Sequence, residues 1–311
     1  MNLYDIEAYL SGPGLLAALT VLGFAVGVVT GLFGVGGAFM ITPLLKHLLG
    51  IDYTLAVGSS LSFTIGSSSG AWVRHVRLGN VAWKPMLILG VFAVGGTHLG
   101  AALHEGLKEA HPARFDQIID GVFIGVLLLV AALVWFGRQD ESRRRSLLQW
   151  LPIPPNLRTK SGELEDLSVP GLVGMGLLMG IVPGLIGIGG GVLFMPILLL
   201  AVGLSMHKAV GTSLGVVLFC GVTGGIIYGG KDEANLWIVM PLLVGSSLGV
   251  QIGTWLCQKL HAARLRRYFA LLVCCVVIYI AVGFTRQLIW PQPPAERQST
   301  SQPASGPSAR P

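Results

Sequence analysis

Two glycine runs lie inside apolar segments of this chain, and their backbone groups could bind an anion. The runs contain Gly34, Gly36 and Gly37 in the first half and Gly187, Gly189 and Gly190 in the second. Each glycine costs a helix roughly 1 kcal/mol relative to alanine, so we expect the helix to break at both runs. The half-helices that follow, near Ala38 and Gly191, would present free N–H groups and a positive dipole end to an anion.

Hydroxyl side chains are concentrated in the apolar block at residues 55–73, close after the first run. This block carries Ser59, Ser60, Ser62, Thr64, Ser67, Ser68 and Ser69. Hydroxyls can donate to a bound oxyanion, and they can also bond back to their own helix or to a neighbouring one. Because Ser59 and Ser60 have counterparts in Thr212 and Ser213, we predict these four residues as anion ligands.

A few ionisable or polar residues are candidates for ion coupling or for an entrance. His98 lies inside an apolar block and corresponds to Gln251 in the second half, while Asp116 and Asp120 lie one turn apart. Intramembrane ionisable residues are functional candidates, although acids are also common near helix N-termini. Arg74 could line an anion path, although membrane topology alone can also place a positive charge there.

Signatures of enzymes and cofactor sites are absent from the sequence. It contains no Gly-x-x-x-x-Gly-Lys-Ser/Thr loop, no His-Glu-x-x-His, no Gly-x-Ser-x-Gly and no metal-spaced cluster. Its four cysteines lie in or beside apolar segments without the spacing of zinc or haem sites. The net charge of +6 comes from short loops, as topology requires, and does not indicate nucleic-acid binding. We therefore expect neither catalysis nor a cofactor.

The elements that position these residues are long apolar blocks. The chain is 52% hydrophobic and 12% charged, which predicts an all-α polytopic membrane protein in a lipid bilayer. The blocks cover residues 15–33, 38–49, 55–73, 81–103, 115–136, 169–186, 191–204, 209–228, 236–256 and 265–288. We divide the chain into a membrane repeat at 1–137, a polar cytoplasmic connector at 138–168, a second repeat at 169–290 and a disordered tail at 291–311.

The two halves are copies of one repeat. At an offset of 153 residues, seven of eleven positions are identical between 27–37 and 180–190, and Pro43 aligns with Pro196. The offset persists in 56–61 and 209–214, which read Ala-Val-Gly-Ser-Ser-Leu and Ala-Val-Gly-Thr-Ser-Leu. Such self-similarity indicates an internal duplication, and paired helix interruptions in two repeats point to the binding site of a secondary transporter.

The orientation of the repeats depends on whether the short block after each glycine run is a separate membrane element. With eight crossings the loop Lys and Arg residues divide 10 against 8, whereas with ten elements they divide 14 against 4. The second division follows the positive-inside rule, so we predict five elements per repeat in inverted orientation. The block at 38–49 would be only about 18 Å long as a helix, so it is expected to be broken or re-entrant.

The glycine runs resemble the duplicated signature of the TauE/SafE-type sulfite exporter family. The resemblance rests on residues 30–43 and 183–196, Thr-Gly-Leu-Phe-Gly-Val-Gly-Gly-Ala-Phe-Met-Ile-Thr-Pro and Pro-Gly-Leu-Ile-Gly-Ile-Gly-Gly-Gly-Val-Leu-Phe-Met-Pro. It implies an inner-membrane permease for small sulfur anions such as sulfite or organosulfonates. The copies differ where Ala38 replaces the third consecutive glycine and Pro183 replaces Thr30, so the halves need not contribute equally.

The leading hypothesis is a secondary transporter in which the repeats give alternating access to a small anion at the midplane. The alternatives are an anion channel and a transporter of a different small solute. The expected partners are the anion and the lipid bilayer, and a homo-oligomer is compatible with the sequence. The cargo, the direction of transport and the coupling ion are not determined by these residues.

Overall fold

The computed structural model describes residues 13–136, 156–157 and 167–289, which form ten α-helices. The first five are α1 (Pro13–Phe33), α2 (Ala38–His47), α3 (Tyr53–Arg77), α4 (Trp83–Ala110) and α5 (Phe115–Phe136). The second five are α6 (Val169–Ile186), α7 (Gly191–Leu200), α8 (Met206–Gly229), α9 (Leu236–Lys259) and α10 (Ala262–Ile289). These confirm the ten predicted elements, and seven of the helices are long and apolar enough to cross a membrane.

Most of the predicted connector and the whole of the predicted tail lie outside the described residues. The connector contributes one described feature, a short antiparallel pairing between β1 (Asn156–Leu157) and β2 (Leu167–Ser168). Ser168 then caps α6, because its side chain accepts a hydrogen bond from the amide of Gly171. The first helix after the connector therefore begins at Val169.

The first helix of each half packs against the fourth helix of the other half. On α1, Gly23 lies against the backbone of Leu242 and Gly31 against that of Val250, so α1 and α9 run parallel. A Cβ atom at Gly31 would lie 2.5 Å from the carbonyl oxygen of Val250. Only glycine permits so close an approach of two helix backbones. Within a membrane, this close packing stabilises helix association, because the hydrophobic effect does not act between helices in lipid. Glycine therefore has a packing role on α1 that is separate from the break.

The same arrangement recurs between α4 and α6. Gly96 on α4 lies against Gly180 on α6, and Gly100 lies against Ile181. A Cβ atom at Gly180 would lie 2.3 Å from the carbonyl oxygen of Ala93. The two halves are thus interlocked, since each supplies one helix to a pair with the other.

Equivalent helices of the two halves cross in opposite directions. On α3, Gly58 near the start lies against Tyr228 near the end of α8, and Thr64 in the middle of α3 lies against Gly221. At the other pair, the guanidinium of Arg266 near the start of α10 donates to the carbonyl of Val134 near the end of α5. This antiparallel contact between copies is the geometry that inverted repeats of five elements produce.

Helices α2 and α7 are half-helices, each about 15 Å long at ten residues. The break before α2 contacts Thr64 and Val217, which lie near the centres of α3 and α8. The other end of α2 lies beside the start of α5, where Lys46 binds Asp116. The half-helix therefore begins at mid-depth and ends at one face, as expected for a re-entrant element.

Candidate functional site

The glycine runs form two left-handed breaks at corresponding places. All six predicted site glycines, Gly34, Gly36, Gly37, Gly187, Gly189 and Gly190, have positive φ angles between 68° and 83°. Residues with a Cβ atom rarely adopt this conformation, which explains why the sequence needs glycine here. Helix α1 ends where the amide of Gly34 bonds to Thr30, and α6 ends where that of Gly187 bonds to Pro183.

The two breaks touch each other in the interior. A Cβ atom built on Gly191 would lie 2.5 Å from the backbone of Val35, and one built on Gly189 would lie 2.9 Å from the side chain of Ala38. The first residues of α2 and α7 therefore meet where the two halves join. The structure therefore brings the two predicted glycine runs into contact with each other.

Backbone amides at this junction are available to a ligand. Within the described residues, no hydrogen bond uses the N–H groups of Gly36, Gly37, Ala38 or residues 189–191. All of these residues are buried. Unbonded N–H groups at the N-terminus of a helix attract anions, and the helix dipole adds about 0.3–1 kcal/mol in favour of a negative charge. Two such ends at one junction make it the strongest candidate for an anion site.

Hydroxyl groups fix the carbonyls of the breaks. The side chain of Ser60 donates to the carbonyl of Gly187 at 3.2 Å, and that of Ser213 donates to the carbonyl of Gly34 at 2.8 Å. Thr42 adds a 2.8 Å bond to Gly187. These bonds cross between the repeats and engage carbonyl oxygens, so they occupy none of the amides of the breaks. Ser60 and Ser213 therefore lie at the junction, but as supports for its backbone.

Three other hydroxyl residues of α3, which the sequence did not single out as ligands, lie beside the first break. Thr64 and Ser67 donate to the carbonyl of Gly36 at 3.3 Å and 2.9 Å. Ser68 is fully buried, and its hydroxyl has no hydrogen-bond partner among the described residues. Its oxygen lies 3.1 Å from the position that a Cβ atom on Gly36 would take. A buried hydroxyl without a partner is costly, so Ser68 is a candidate donor to a bound anion.

The other predicted hydroxyl ligands lie elsewhere. Ser59 accepts a 3.0 Å hydrogen bond from the amide of Asn235 before α9, and Thr212 accepts a 2.9 Å bond from the amide of Ala82 before α4. Each hydroxyl satisfies a free N–H group at a helix start, which is a structural task. The structure does not bring Ser59 or Thr212 to the breaks. These residues occur in both copies because each copy has the same helix start to stabilise.

The predicted coupling and entrance residues are dispersed. His98 is exposed on the surface of α4, where its ring bonds only to the carbonyl of Val94 four residues earlier. Arg74 donates to the side chain of Gln251, and the pair lines a groove of about 620 Å³ with Arg77. This groove lies at the end of α3, away from the junction. Its position is compatible with an entrance and not with a ligand site.

Asp120 is placed in a buried polar cluster at the far end of α2. Its carboxylate is 1% exposed and faces the imidazole of His47 at 3.4 Å, while Asp116 forms a 2.5 Å ion pair with Lys46. In the described part of the chain, no three His, Cys, Asp or Glu side chains are grouped to hold a metal ion.

Comparison with known proteins adds an independent finding. Residues 19–280 match the family model described as Sulfite exporter TauE/SafE. A probable membrane transporter protein of Xylella fastidiosa strain Temecula1 is 29% identical over 265 residues, which cover 83% of this chain and 92% of the relative.

Two further relatives have the same description. A probable membrane transporter protein of Methanocaldococcus jannaschii is 26% identical, covering 81% of this chain and 90% of the relative. One of Haemophilus influenzae is 28% identical, covering 83% and 94%. No solved structure matches the chain.

Proposed function

Because this chain belongs to the sulfite exporter TauE/SafE family and is a multi-pass membrane transporter, not an enzyme, we propose that it moves small anions across the cytoplasmic membrane. The cargo we propose is sulfite or an organosulfonate-type sulfur anion, carried by a secondary transport mechanism. The family description supports the sulfur anion, and the relatives support transport in general.

The observation that carries this proposal is the junction of the two half-helices. It combines two helix N-termini, unbonded amides of Gly36 and Gly189, and the unpartnered hydroxyl of Ser68. No Lys or Arg side chain forms an ion pair there among the described residues. Backbone dipoles attract an anion without binding it as tightly as a fixed charge does, and weak binding allows release.

Burial of the junction supports alternating access. The break residues are inaccessible to solvent in this conformation, so an anion held there would be sealed from both faces. Helices α2 and α7 lead from the junction towards opposite faces, and a movement of either one would open one path. An anion channel, the second candidate, needs a continuous path past the same residues. A different small solute remains the alternative for the cargo.

The distribution of charge supports one orientation. With ten elements, the face that holds the ends of α3, α5 and α9 carries most of the basic loop residues. The positive-inside rule places that face, with the Arg74 groove, in the cytoplasm. The end of α2 and its Asp120 cluster then face the opposite side of the membrane.

Flux measurements on the purified protein in liposomes test this proposal. Labelled sulfite, sulfate, thiosulfate and taurine are offered with and without an imposed pH gradient. We expect saturable flux of at least one sulfur anion, and flux that does not saturate would support the channel instead. Absence of flux for all four would contradict the cargo.

A matched pair of variants then locates the site. Gly36→Leu is expected to remove the flux, since a side chain there would fill the junction. Gly125→Leu is the control, because Gly125 is exposed on α5 with no atom within 4 Å of an added Cβ. Equal loss of flux in both variants would contradict the placement of the site.

A further inference from the structure

A buried ionisable pair lies at the opposite end of α2 from the junction. Asp120 on α5 and His47 in the last turn of α2 have side chains that are 1% and 6% exposed, with 3.4 Å between Oδ1 and Nε2. Neither Asp120 oxygen nor His47 Nε2 has a partner at full hydrogen-bond geometry among the described residues. The pair is therefore held mainly by packing and charge.

The groups that face this pair come from four helices. Lys46 on α2 is bound to Asp116 on α5, and the ammonium of Lys46 lies 5.8 Å from the ring of Tyr53 on α3. The phenol of Tyr53 interacts electrostatically with both aspartates. On α10, Tyr279 contacts the imidazole of His47 edge-on at 6.3 Å between ring centroids. Two acids, one lysine, one histidine and two tyrosines thus complete the titratable set in contact.

Only the first repeat carries this cluster. At the positions that match Lys46 and His47, the second repeat has Leu199 and Leu200, and Asp120 is matched by Ala270. Helix packing alone does not require the charges, because α7 ends in a similar place without them. Charged side chains buried at membrane depth are costly unless paired. Their retention in one copy points to a task that the other copy does not share.

We propose that the His47–Asp120 pair is the binding site of a proton that is coupled to anion transport, an inference that rests on the function proposed above. The proton adds to the carboxylate of Asp120, which leaves a neutral acid beside the imidazole. The bound proton offsets one negative charge at the junction, so the protein loaded with a monovalent anion has the net charge of the empty protein.

Helix α2 is the physical link between the two sites. Its first residues form one side of the junction, and Thr42 in its middle bonds to the break of the other repeat. Its last residue is His47. While Asp120 is ionised, its negative charge attracts the ring nitrogen face of His47, 3.4 Å away at the end of α2. Protonation of Asp120 removes that attraction and frees the end of α2 to move away from α5.

The approach of α10 leaves the imidazole little freedom unless α2 moves. A Cβ atom on Gly283 would lie 2.8 Å from Nδ1 of His47, so this glycine permits the close contact. The ring is therefore packed between α5 and α10, close to both. Protonation at Asp120 is expected to displace the whole half-helix.

The test uses full-length protein in liposomes, with thiosulfate and methanesulfonate as probes because both stay ionised near neutral pH. Two modes are measured, namely uptake driven by a pH gradient and exchange of labelled for unlabelled anion without any gradient. In the wild type we expect the gradient to stimulate uptake. In Asp120→Asn, which resembles the protonated acid, we expect that stimulation to be lost while exchange persists.

Controls separate proton binding from a structural ion pair. Asp116→Asn alters the more exposed neighbouring ion pair, and its uptake should still be stimulated by the pH gradient. His47→Gln should lose this stimulation, as Asp120→Asn does. A dye that reports internal pH should show proton movement driven by an anion gradient in the wild type and none in Asp120→Asn. Circular dichroism and gel filtration verify that each variant is folded.

Each contrary outcome has a distinct meaning. Wild-type flux of both probes without any effect of pH would overturn the proton site and leave the transport function intact. If the pH gradient still stimulates uptake in Asp120→Asn, the proton site is also overturned. The same holds if folded Asp120→Asn loses both the stimulation and the exchange. Absence of wild-type flux for every anion in either mode would contradict the proposed function itself.

Discussion

The breaks before α2 and α7 have nearly the same backbone and different surroundings. Gly36 and Gly189 have φ angles of 78° and 74°, and each break is supported by a serine from the other repeat. Around the first break, however, α3 supplies Thr64, Ser67 and Ser68, while α8 supplies Val217 and other apolar or small residues at the matching positions. The duplicated backbone provides the dipoles, and α3 alone adds the further hydroxyl residues Thr64, Ser67 and Ser68.

The far ends of the half-helices differ in the same way. Helix α2 ends in Lys46 and His47 and contacts two aspartates, whereas α7 ends in leucine and contacts none. Both specialised features, hydroxyls and charges, belong to the first repeat. We expect the second repeat to contribute the N-terminus of α7 and Ser213 to the junction but none of these charges, and variants at matched positions can test this.

The largest effect is expected where the repeats are alike. Replacement of Gly36 or Gly189 by leucine should abolish transport while the protein still inserts into the membrane. A Cβ atom at Gly36 would lie 2.5 Å from Val217, one at Gly189 would lie 2.9 Å from Ala38, and both positions have positive φ. Flux in liposomes and the yield of membrane-inserted protein check this. Normal flux in either variant would remove the junction as the site.

The next effect concerns the first residue of each half-helix, Ala38 in α2 and Gly191 in α7. Gly191→Ala would place a Cβ atom 2.5 Å from the backbone of Val35, so we expect about 1–3 kcal/mol of destabilisation and reduced flux. The reverse change, Ala38→Gly, removes one methyl group and should lower stability by only about 1 kcal/mol. Thermal unfolding in detergent compares the two. Equal losses of stability would mean that the breaks are not in the contact described.

A smaller effect, confined to affinity, is expected at Ser68. Ser68→Ala should weaken anion binding roughly 10-fold to 100-fold, because a hydrogen bond to a charged group contributes about 1.5–3 kcal/mol. Concentration dependence of the flux gives the affinity. Ser247→Ala is the control, since that exposed hydroxyl bonds only to its own helix at Val244. Unchanged affinity in Ser68→Ala would exclude a ligand role.

The smallest effect is expected at the duplicated hydroxyls outside the junction. Ser59→Ala and Thr212→Val each remove one acceptor from a helix start, and we expect each to cost about 1 kcal/mol of stability. Affinity for the anion should not change, because neither hydroxyl reaches the breaks. Unfolding and flux measured on the same samples separate the two quantities. A loss of affinity at constant stability would restore these residues as ligands.

The positions of the helices and breaks could be predicted because their causes are local. Apolar blocks set the ten helices, and glycine alone accounts for the breaks at Gly36 and Gly189. The identity of the hydroxyl ligands could not be predicted, because adjacent residues on a helix face different neighbours. Ser59 and Ser60 differ by one position, and only Ser60 reaches a break. Recurrence in both copies selected residues that support the fold, whereas Thr64 and Ser68 occur in one copy.

Ionisable residues show the same limit. His98 and Asp120 both lie within apolar sequence, and only the packing of α2 and α10 distinguishes an exposed ring from a buried acid. The partner of Asp120, His47, is distant in sequence. It is the last residue of α2, and the direction of this half-helix depends on the break that precedes it. The pattern of residues therefore predicted the breaks and the polar segments, while tertiary contacts determined which side chains face each other.

The interlocked packing of α1 with α9 and of α4 with α6 has a consequence for biosynthesis. When the first repeat leaves the ribosome, α1 and α4 expose glycine-lined faces whose partners have not yet been made. Neither repeat can complete its packing before the whole chain is inserted. A first half expressed alone should remain incompletely assembled and sensitive to proteolysis, and co-expression of the second half as a separate chain should protect it.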